Sequence, residues 1–182
     1  MARVLIVGCG CRGRSLARTL VENGHAVRGT TRAPAGAGAI EAAGAQPWIG
    51  DPDRVGTLTG ALESVTVVCW LLASAQGSED AVRGLHGPRL RAFCERLVDT
   101  PVRGLVYEAA GSIDPGVLAC GRRIVGEAAR TWEIPVRMLE TDPTEHERWL
   151  LDAQGVVNAL LAARNDAERS PGSATLGRQI PI

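Results

Sequence analysis

The sequence contains no lysine, so all 20 of its basic residues are arginines. They balance 20 acidic residues, and the formal net charge is zero. Proteins that bind nucleic acids through the phosphates usually carry a basic excess, so we expect no nucleic-acid partner. No stretch approaches the roughly 20 apolar residues of a membrane span, and the N-terminus lacks the pattern of a signal peptide. We therefore expect no membrane partner and a cytoplasmic location.

Aromatic residues are also scarce, at 3% of the 182 residues, whereas 45% are apolar and 22% are charged. This composition is typical of one globular domain that forms its core without disulfides or metals. The five cysteines are expected to be reduced, with Cys69, Cys94 and Cys120 on apolar faces. No histidine or cysteine has a partner at ligand spacing, which indicates no metal site.

Strand-length apolar segments alternate with helix-period segments, which predicts a parallel sheet with crossover helices. The predicted strands cover residues 4–7, 25–31, 46–49, 65–72, 102–107 and 134–139. Helices are predicted over residues 12–22, 38–43, 54–62, 88–98 and 114–132, with a last helix from Asp142. Residues 74–87 are predicted to form a loop. We expect one domain over residues 1–163 and a mobile tail over residues 164–182.

A G-x-G-x-x-G pattern, formed by Gly8, Gly10 and Gly13, lies between the first strand and the first helix. In the dinucleotide fingerprint the first glycine permits a tight turn, and the second lets the backbone approach a pyrophosphate. The third lets helix and strand pack closely, and the phosphate lies at the helix N-terminus. Cys11 and Arg12 complete this candidate cofactor-binding turn. The alternative is a tight turn without a ligand.

The second predicted strand ends in Thr31 and Arg32, where an NAD-selective site offers Asp or Glu to the ribose 2′-hydroxyl. A guanidinium beside hydroxyl groups suits a 2′-phosphate, and Arg12 is a second candidate ligand for it. The sequence therefore predicts NADP(H) in preference to NAD(H). The alternative is that Arg32 is a solvated strand end. Methyltransferases that bind S-adenosylmethionine share the turn, but they too need an acidic residue at this position.

With Gly24-His25, Gly50-Asp51 and the segments 65–72 and 102–107, the chain resembles the atypical short-chain dehydrogenase/reductase superfamily over residues 3–141. It looks most like the small NAD(P)H-binding, epimerase-like proteins. The resemblance implies a doubly wound Rossmann sheet in the order 3-2-1-4-5-6. It also implies that Asp51 holds the adenine amino group and that Leu72, Ala73 and Ser74 pass close to the cofactor ribose. One helix and a tail follow strand six, so we expect no separate substrate domain.

Catalytic members of that superfamily use a serine and a Tyr-x-x-x-Lys pair, in which lysine lowers the pKa of the tyrosine. This chain has no lysine, and its single tyrosine, Tyr107, lies within a predicted strand and is followed four residues on by Gly111. We therefore expect no catalytic residues of the usual kind. One hypothesis is an NADP(H) oxidoreductase that transfers hydride to a flavin-type or conjugated acceptor without that relay. The other is a non-catalytic dinucleotide sensor that acts on a partner.

Further polar residues lie near the predicted carboxyl ends of the strands, where such sheets bind ligands. Candidates for substrate contact are the polar residues after strand five, Glu108, Ser112 and Asp114. Asp114 is alternatively the N-cap of the following helix. Cys9 and Cys11 are interpreted as small fillers of the turn, with a redox-sensitive Cys11 thiol as the alternative. His86 is interpreted as an exposed loop residue, or else as a residue of the ligand cleft.

Overall fold

The computed structural model describes residues 1–169, and six parallel strands form its centre. The strands are β1 (Arg3–Val7), β2 (Ala26–Thr31), β3 (Gln46–Ile49), β4 (Val67–Trp70), β5 (Gly104–Glu108) and β6 (Val136–Leu139). Their order in the sheet is β3-β2-β1-β4-β5-β6, which confirms the predicted Rossmann order. β1 lies between β2 and β4, with Val4 beside Val27 on one side and Val67 on the other.

Six α-helices connect these strands and cover both faces of the sheet. They are α1 (Cys11–Glu22), α2 (Ala37–Glu41), α3 (Glu79–Leu85), α4 (Pro88–Leu97), α5 (Pro115–Trp132) and α6 (His146–Arg169). Alternate strand residues point to opposite faces, so Leu5 packs with Phe93 of α4, whereas Ile6 packs with Leu16 of α1 and Trp149 of α6. Each face therefore has its own buried hydrophobic core, as expected for a doubly wound sheet.

Two predicted segments differ from the structure between β3 and α4. Residues 54–62 form two short 3₁₀ turns, Val55–Leu58 and Gly60–Leu62, instead of an α-helix. The loop predicted over residues 74–87 is wrong for its second half, because α3 lies there. The hydroxyl of Ser78 accepts a hydrogen bond from the Ala81 N–H (3.3 Å), and two acidic residues stand in the first turn of this helix.

The start of α5 agrees with the sequence, and the start of α6 does not. Asp114 caps α5 by accepting a hydrogen bond from the Val117 N–H (3.1 Å). α6 begins at His146 instead of Asp142, because the Asp142 carboxylate accepts from both the N–H and the O–H of Thr144 and forms a turn. The helix extends to Arg169, so residues 164–169 are helical where a tail is predicted. The rest of that tail, residues 170–182, lies outside the described residues.

None of the helices in residues 1–169 combines the length and the apolar character needed to cross a bilayer.

Candidate functional site

A cavity of about 900 Å³ opens at the carboxyl ends of the strands, where ligands bind in doubly wound sheets. Its walls come from the turn after β1, the ends of β2, β4 and β5, and the segment before α6. Most of the predicted cofactor-binding residues line it, namely Gly8, Gly10, Cys11, Arg12, Gly13, Thr31, Arg32 and Leu72. Asp51 and Ala73 do not line it.

The three glycines of the turn have different surroundings. Gly8 has a φ of +86°, and a Cβ at this position would lie 2.5 Å from the Leu71 carbonyl oxygen, so only glycine fits. A Cβ at Gly13 would lie 3.1 Å from the Gly8 carbonyl oxygen and 3.3 Å from the Ile6 side chain. A Cβ at Gly10 would meet no atom within 4 Å. The first and third glycines thus serve close packing, and the second leaves open space in the cavity.

The N-terminus of α1 faces this open space. Its N-cap, Gly10, has no side chain, and no acidic residue stands in its first turn. Gly10 N–H donates to the Gly8 carbonyl (2.8 Å), and the Gly8 N–H donates to the hydroxyl of Thr30 on β2 (3.1 Å), which fix the turn. The first N–H groups of α1 and the positive end of its dipole are therefore available to an anion in the cavity.

Two arginines line the cavity on the side of β2. Arg32 is exposed and Arg14 is half-buried, and neither guanidinium makes a hydrogen bond or ion pair with residues 1–163, whose side chains the structure describes. Thr31, beside Arg32, donates its hydroxyl to the Ala33 carbonyl (3.1 Å). Arg14 is not among the site residues predicted from the sequence. Residues two apart on a helix point to nearly opposite sides, so its spacing from Arg12 could have indicated that Arg14 lies on the other side of α1.

Arg12 does not lie where the sequence predicts it. Its Nη2 donates to Ser74 Oγ (3.0 Å) and lies 3.3 Å from Glu108 Oε1, beyond β4 as seen from β2. The prediction that Arg12 shares a 2′-phosphate with Arg32 is therefore wrong for this conformation. The physical reason is the buried carboxylate of Glu108, whose negative charge holds the guanidinium on the opposite side of the turn.

Glu108, at the end of β5, connects three elements of the site. Its Oε1 accepts from Arg12 and from Trp149 Nε1 of α6 (3.1 Å), and its Oε2 accepts from the Ala73 N–H (3.0 Å). The side chain is fully buried, and burial raises the pKa of its carboxyl above the ordinary value, although the Arg12 guanidinium opposes that rise. The sequence predicted Glu108 as a candidate for substrate contact, and it lines the cavity, but its partner Trp149 is 41 residues away and was not predicted.

The remaining residues predicted to contact a ligand either line the cavity or make hydrogen bonds in the structure around it. Ser112 lines the cavity, whereas Asp114 caps α5. Asp51 does not line the cavity, because its carboxylate accepts from the Asp53 N–H (3.0 Å) and pairs with Arg54 (3.6 Å). Ala73 is buried, and its N–H is used by Glu108. For Asp51 and Ala73 the structure thus gives local hydrogen-bonding roles.

Both interpretations of His86 are wrong, because the side chain is fully buried outside the cavity. His86 Nδ1 lies 2.6 Å from the Tyr107 hydroxyl, and Nε2 lies 3.1 Å from the Leu72 carbonyl oxygen. Tyr107 is itself fully buried, and burial raises the pKa of its phenol. The only tyrosine of the chain therefore does not reach the cavity.

The two cysteines of the turn differ in exposure. Cys9 is buried, and burial raises the pKa of its thiol to about 11, so it fills space in the turn as interpreted from the sequence. Cys11 is exposed and lines the cavity, and it does not fill a gap in the turn. Cys69 and Cys94 are buried and Cys120 is half-buried.

No protein-family model matches the sequence, and the search of curated proteins finds no match. Among solved structures, a short-chain dehydrogenase/reductase superfamily protein from Agrobacterium tumefaciens with bound NAD is 18% identical, with a TM-score of 0.63. UDP-glucuronic acid 4-epimerase from Bacillus cereus in complex with NAD is 17% identical, with a TM-score of 0.61. UDP-glucose 4-epimerase from Thermotoga maritima with UDP-glucose is 12% identical, with a TM-score of 0.64.

Each of these comparisons covers 76% of this chain. It covers 48% of the Agrobacterium tumefaciens protein, 56% of the Bacillus cereus epimerase and 54% of the Thermotoga maritima epimerase. The chain thus spans about half the length of the structures it matches. Because the identities are low, the likeness concerns the backbone arrangement. The chain has the Rossmann fold of short-chain dehydrogenase/reductase and epimerase proteins, as the resemblance of its sequence implies.

Proposed function

We propose that the chain binds a dinucleotide across the cavity, with the pyrophosphate on the turn between β1 and α1. The open space at Gly10 carries this proposal, because a backbone without a side chain lets a pyrophosphate approach the first N–H groups of α1. The similar structures from Agrobacterium tumefaciens and Bacillus cereus contain NAD, which supports a dinucleotide as the class of ligand.

We further propose that the preferred dinucleotide is NADP(H). The NAD in those structures does not favour this choice, which rests on residues of this chain. Arg32 and Arg14 line the β2 side of the cavity without partners among residues 1–163, and no carboxylate directly follows β2 to bind a ribose 2′-hydroxyl. A 2′-phosphate offers oxygens that two guanidinium groups can bind with charge-assisted hydrogen bonds.

Calorimetric titration of NADPH and NADH tests this preference. A charged hydrogen bond to the 2′-phosphate corresponds to a tighter binding of NADPH by about tenfold or more. Arg32→Ala should remove most of the difference. Arg18→Ala is the matched control, since it removes an exposed arginine of α1 that does not line the cavity. Equal affinities of the wild-type protein for NADPH and NADH would contradict the choice of NADP(H).

As chemistry for this site, we propose hydride transfer without a tyrosine proton donor. The Tyr107 hydroxyl lies beside His86 in the core, and the chain holds no lysine to lower its pKa. Flavins and quinones suit such a site, because the proton can come from water after the hydride arrives. The burial of Tyr107 also favours a second candidate function, a dinucleotide sensor without catalysis.

A further inference from the structure

The guanidinium of Arg12 is held in place from the protein side. Its Nη2 donates to Ser74 Oγ (3.0 Å) and to Glu108 Oε1 (3.3 Å), and its central carbon lies 5.5 Å from the centre of the Trp149 ring. Glu108 is fixed in turn by the Ala73 N–H and by the indole N–H of Trp149. Arg12 is therefore ordered before any ligand arrives, which lowers the entropic cost of binding to it.

Arg12 also keeps donors that its protein contacts do not use. Its side chain is 28% exposed and lines the cavity. No acceptor within residues 1–163 bonds to its Nη1, whereas its Nε is buried without a partner and does not face a ligand in the cavity. A guanidinium has five N–H donors, and in Arg12 the two on Nη1 remain for the oxygens of a carboxylate. Arg12 can therefore bind an anion without breaking its bond to Glu108.

These donors lie on the β4 and β5 side of the cavity, the half in which the 2′-phosphate of the dinucleotide is not proposed to bind. Ser74 follows β4 and Glu108 ends β5, on the side of β1 opposite to β2. Arg32 lies at the end of β2, where the 2′-phosphate is proposed to bind. The cavity lining also includes the apolar residues Leu72, Leu85 and Pro143.

The carboxylates in this half of the cavity have their own hydrogen-bond donors and leave Nη1 of Arg12 available. The Asp142 carboxylate accepts from the N–H (2.8 Å) and the O–H (2.7 Å) of Thr144, and Glu108 is fully buried with three donors on its oxygens. Arg12 is thus the cation available to a second ligand there.

We propose that Arg12 anchors the carboxylate of a small organic acid, which binds beside the dinucleotide with its apolar part against Leu72, Leu85 and Pro143. This inference rests on the proposed function, because the acid is proposed to bind beside the dinucleotide and away from the subsite of its 2′-phosphate. Glu108 is a positioning residue, since it orients Arg12 without itself reaching the ligand.

Phenylacetate and its uncharged analogue phenylacetamide are suitable probes, because they differ only in the group that faces Arg12. We expect calorimetry on the NADPH-saturated protein to show phenylacetate binding about tenfold more tightly than phenylacetamide. The affinity for NADPH should not fall when phenylacetate is present.

Arg12→Gln alone would leave the buried Glu108 carboxylate without its counter-ion and destabilise the fold. The double variant Arg12→Gln/Glu108→Gln removes both charges and keeps amide hydrogen bonding. In this variant the preference for the acid should fall below about twofold. Arg148→Gln is the matched control, because it removes an exposed arginine next to Trp149, outside the cavity, and should keep the wild-type preference.

Equal binding of acid and amide to the wild-type protein would overturn the inference, and so would an unchanged preference in the double variant. Displacement of NADPH by phenylacetate would also overturn it, because the acid would then occupy a phosphate subsite. If NADPH itself does not bind, the proposed function fails separately. The nucleotide-free protein must then still show the preference for the acid, because protein groups alone hold Arg12, and its absence there overturns the inference as well.

Discussion

His86 and Tyr107 form a buried pair behind the floor of the cavity. The Leu72 carbonyl can only accept, so His86 Nε2 carries a proton and donates to it (3.1 Å). In the neutral ring Nδ1 then accepts from the Tyr107 O–H (2.6 Å). Burial lowers the pKa of His86 below its ordinary value, which keeps the ring neutral. Since Leu72 lines the cavity, this pair connects the core to the candidate binding surface.

The buried neutral ring predicts a loss of stability in acid. Below a pH of about 6.5 the unfolded chain takes up a proton on His86 that the folded chain does not, so the contribution of His86 to the free energy of unfolding should fall as pH falls. One such group contributes a slope of at most about 1.4 kcal/mol per pH unit. Urea unfolding between about pH 7 and pH 5 measures it.

His86→Gln should flatten this dependence, and His146→Gln, which replaces an exposed histidine, should keep it. The same slope in the wild-type protein and in His86→Gln would show that His86 is not the group responsible.

Two glycines of the turn between β1 and α1 have different roles, one in the fold and one in the proposed ligand binding. Gly8 needs a positive φ and close contact with Leu71, so its side chain is limited by the fold. Gly10 has an extended backbone with a φ of −72°, which any residue can adopt, and the space beside it is open. Only a bound ligand would therefore limit the side chain at Gly10.

Gly10→Val should abolish binding of NADPH and leave the melting temperature close to that of the wild-type protein, because the branched side chain would occupy the space proposed for the pyrophosphate. Gly8→Ala is the contrasting variant and should lower the melting temperature through strain and overlap with Leu71. Calorimetry and thermal unfolding measure the two effects. An unchanged dissociation constant in a folded Gly10→Val protein would mean that the turn has no ligand.

The parallel sheet was predictable from the alternation of strand-length and helix-period segments, and the strand order from the resemblance to short-chain dehydrogenase/reductase proteins. α3 was harder to predict, since it has seven residues and includes Gly84, although Ser78 followed by two acidic residues is an N-terminal signal. The side chains of Arg12 and His86 were placed wrongly. Their partners, Glu108 and Tyr107, are distant in sequence, and local patterns do not report such contacts.

The whole cavity combines two surfaces on either side of β1. On the β2 side it contains the guanidinium groups of Arg14 and Arg32, which have no partner among residues 1–163, and the open space beside Gly10. Both features suit phosphates. On the β4 and β5 side Arg12 pairs with the buried Glu108, and the Tyr107 hydroxyl does not reach the cavity. These surfaces support the proposed dinucleotide site, to which Tyr107 supplies no proton donor for carbonyl reduction.

NADPH oxidation by the protein should accordingly be undetectable with a panel of ketones, aldehydes and sugar nucleotides. General acid catalysis typically contributes about 10²–10⁴-fold in rate, so its loss should leave such turnover near background. Flavins and quinones need no enzymic acid and form the second panel, in which turnover would identify an oxidoreductase. Tight NADPH binding without turnover in either panel would favour the sensor.

Tyr107→Phe provides the control, because it removes a buried hydroxyl bonded to His86 and should lower stability without changing any flavin or quinone rate. Efficient carbonyl turnover that disappears in Tyr107→Phe would contradict this account. It would mean that the tyrosine reaches the substrate in a conformation where β5 no longer buries it, and that another group replaces the missing lysine.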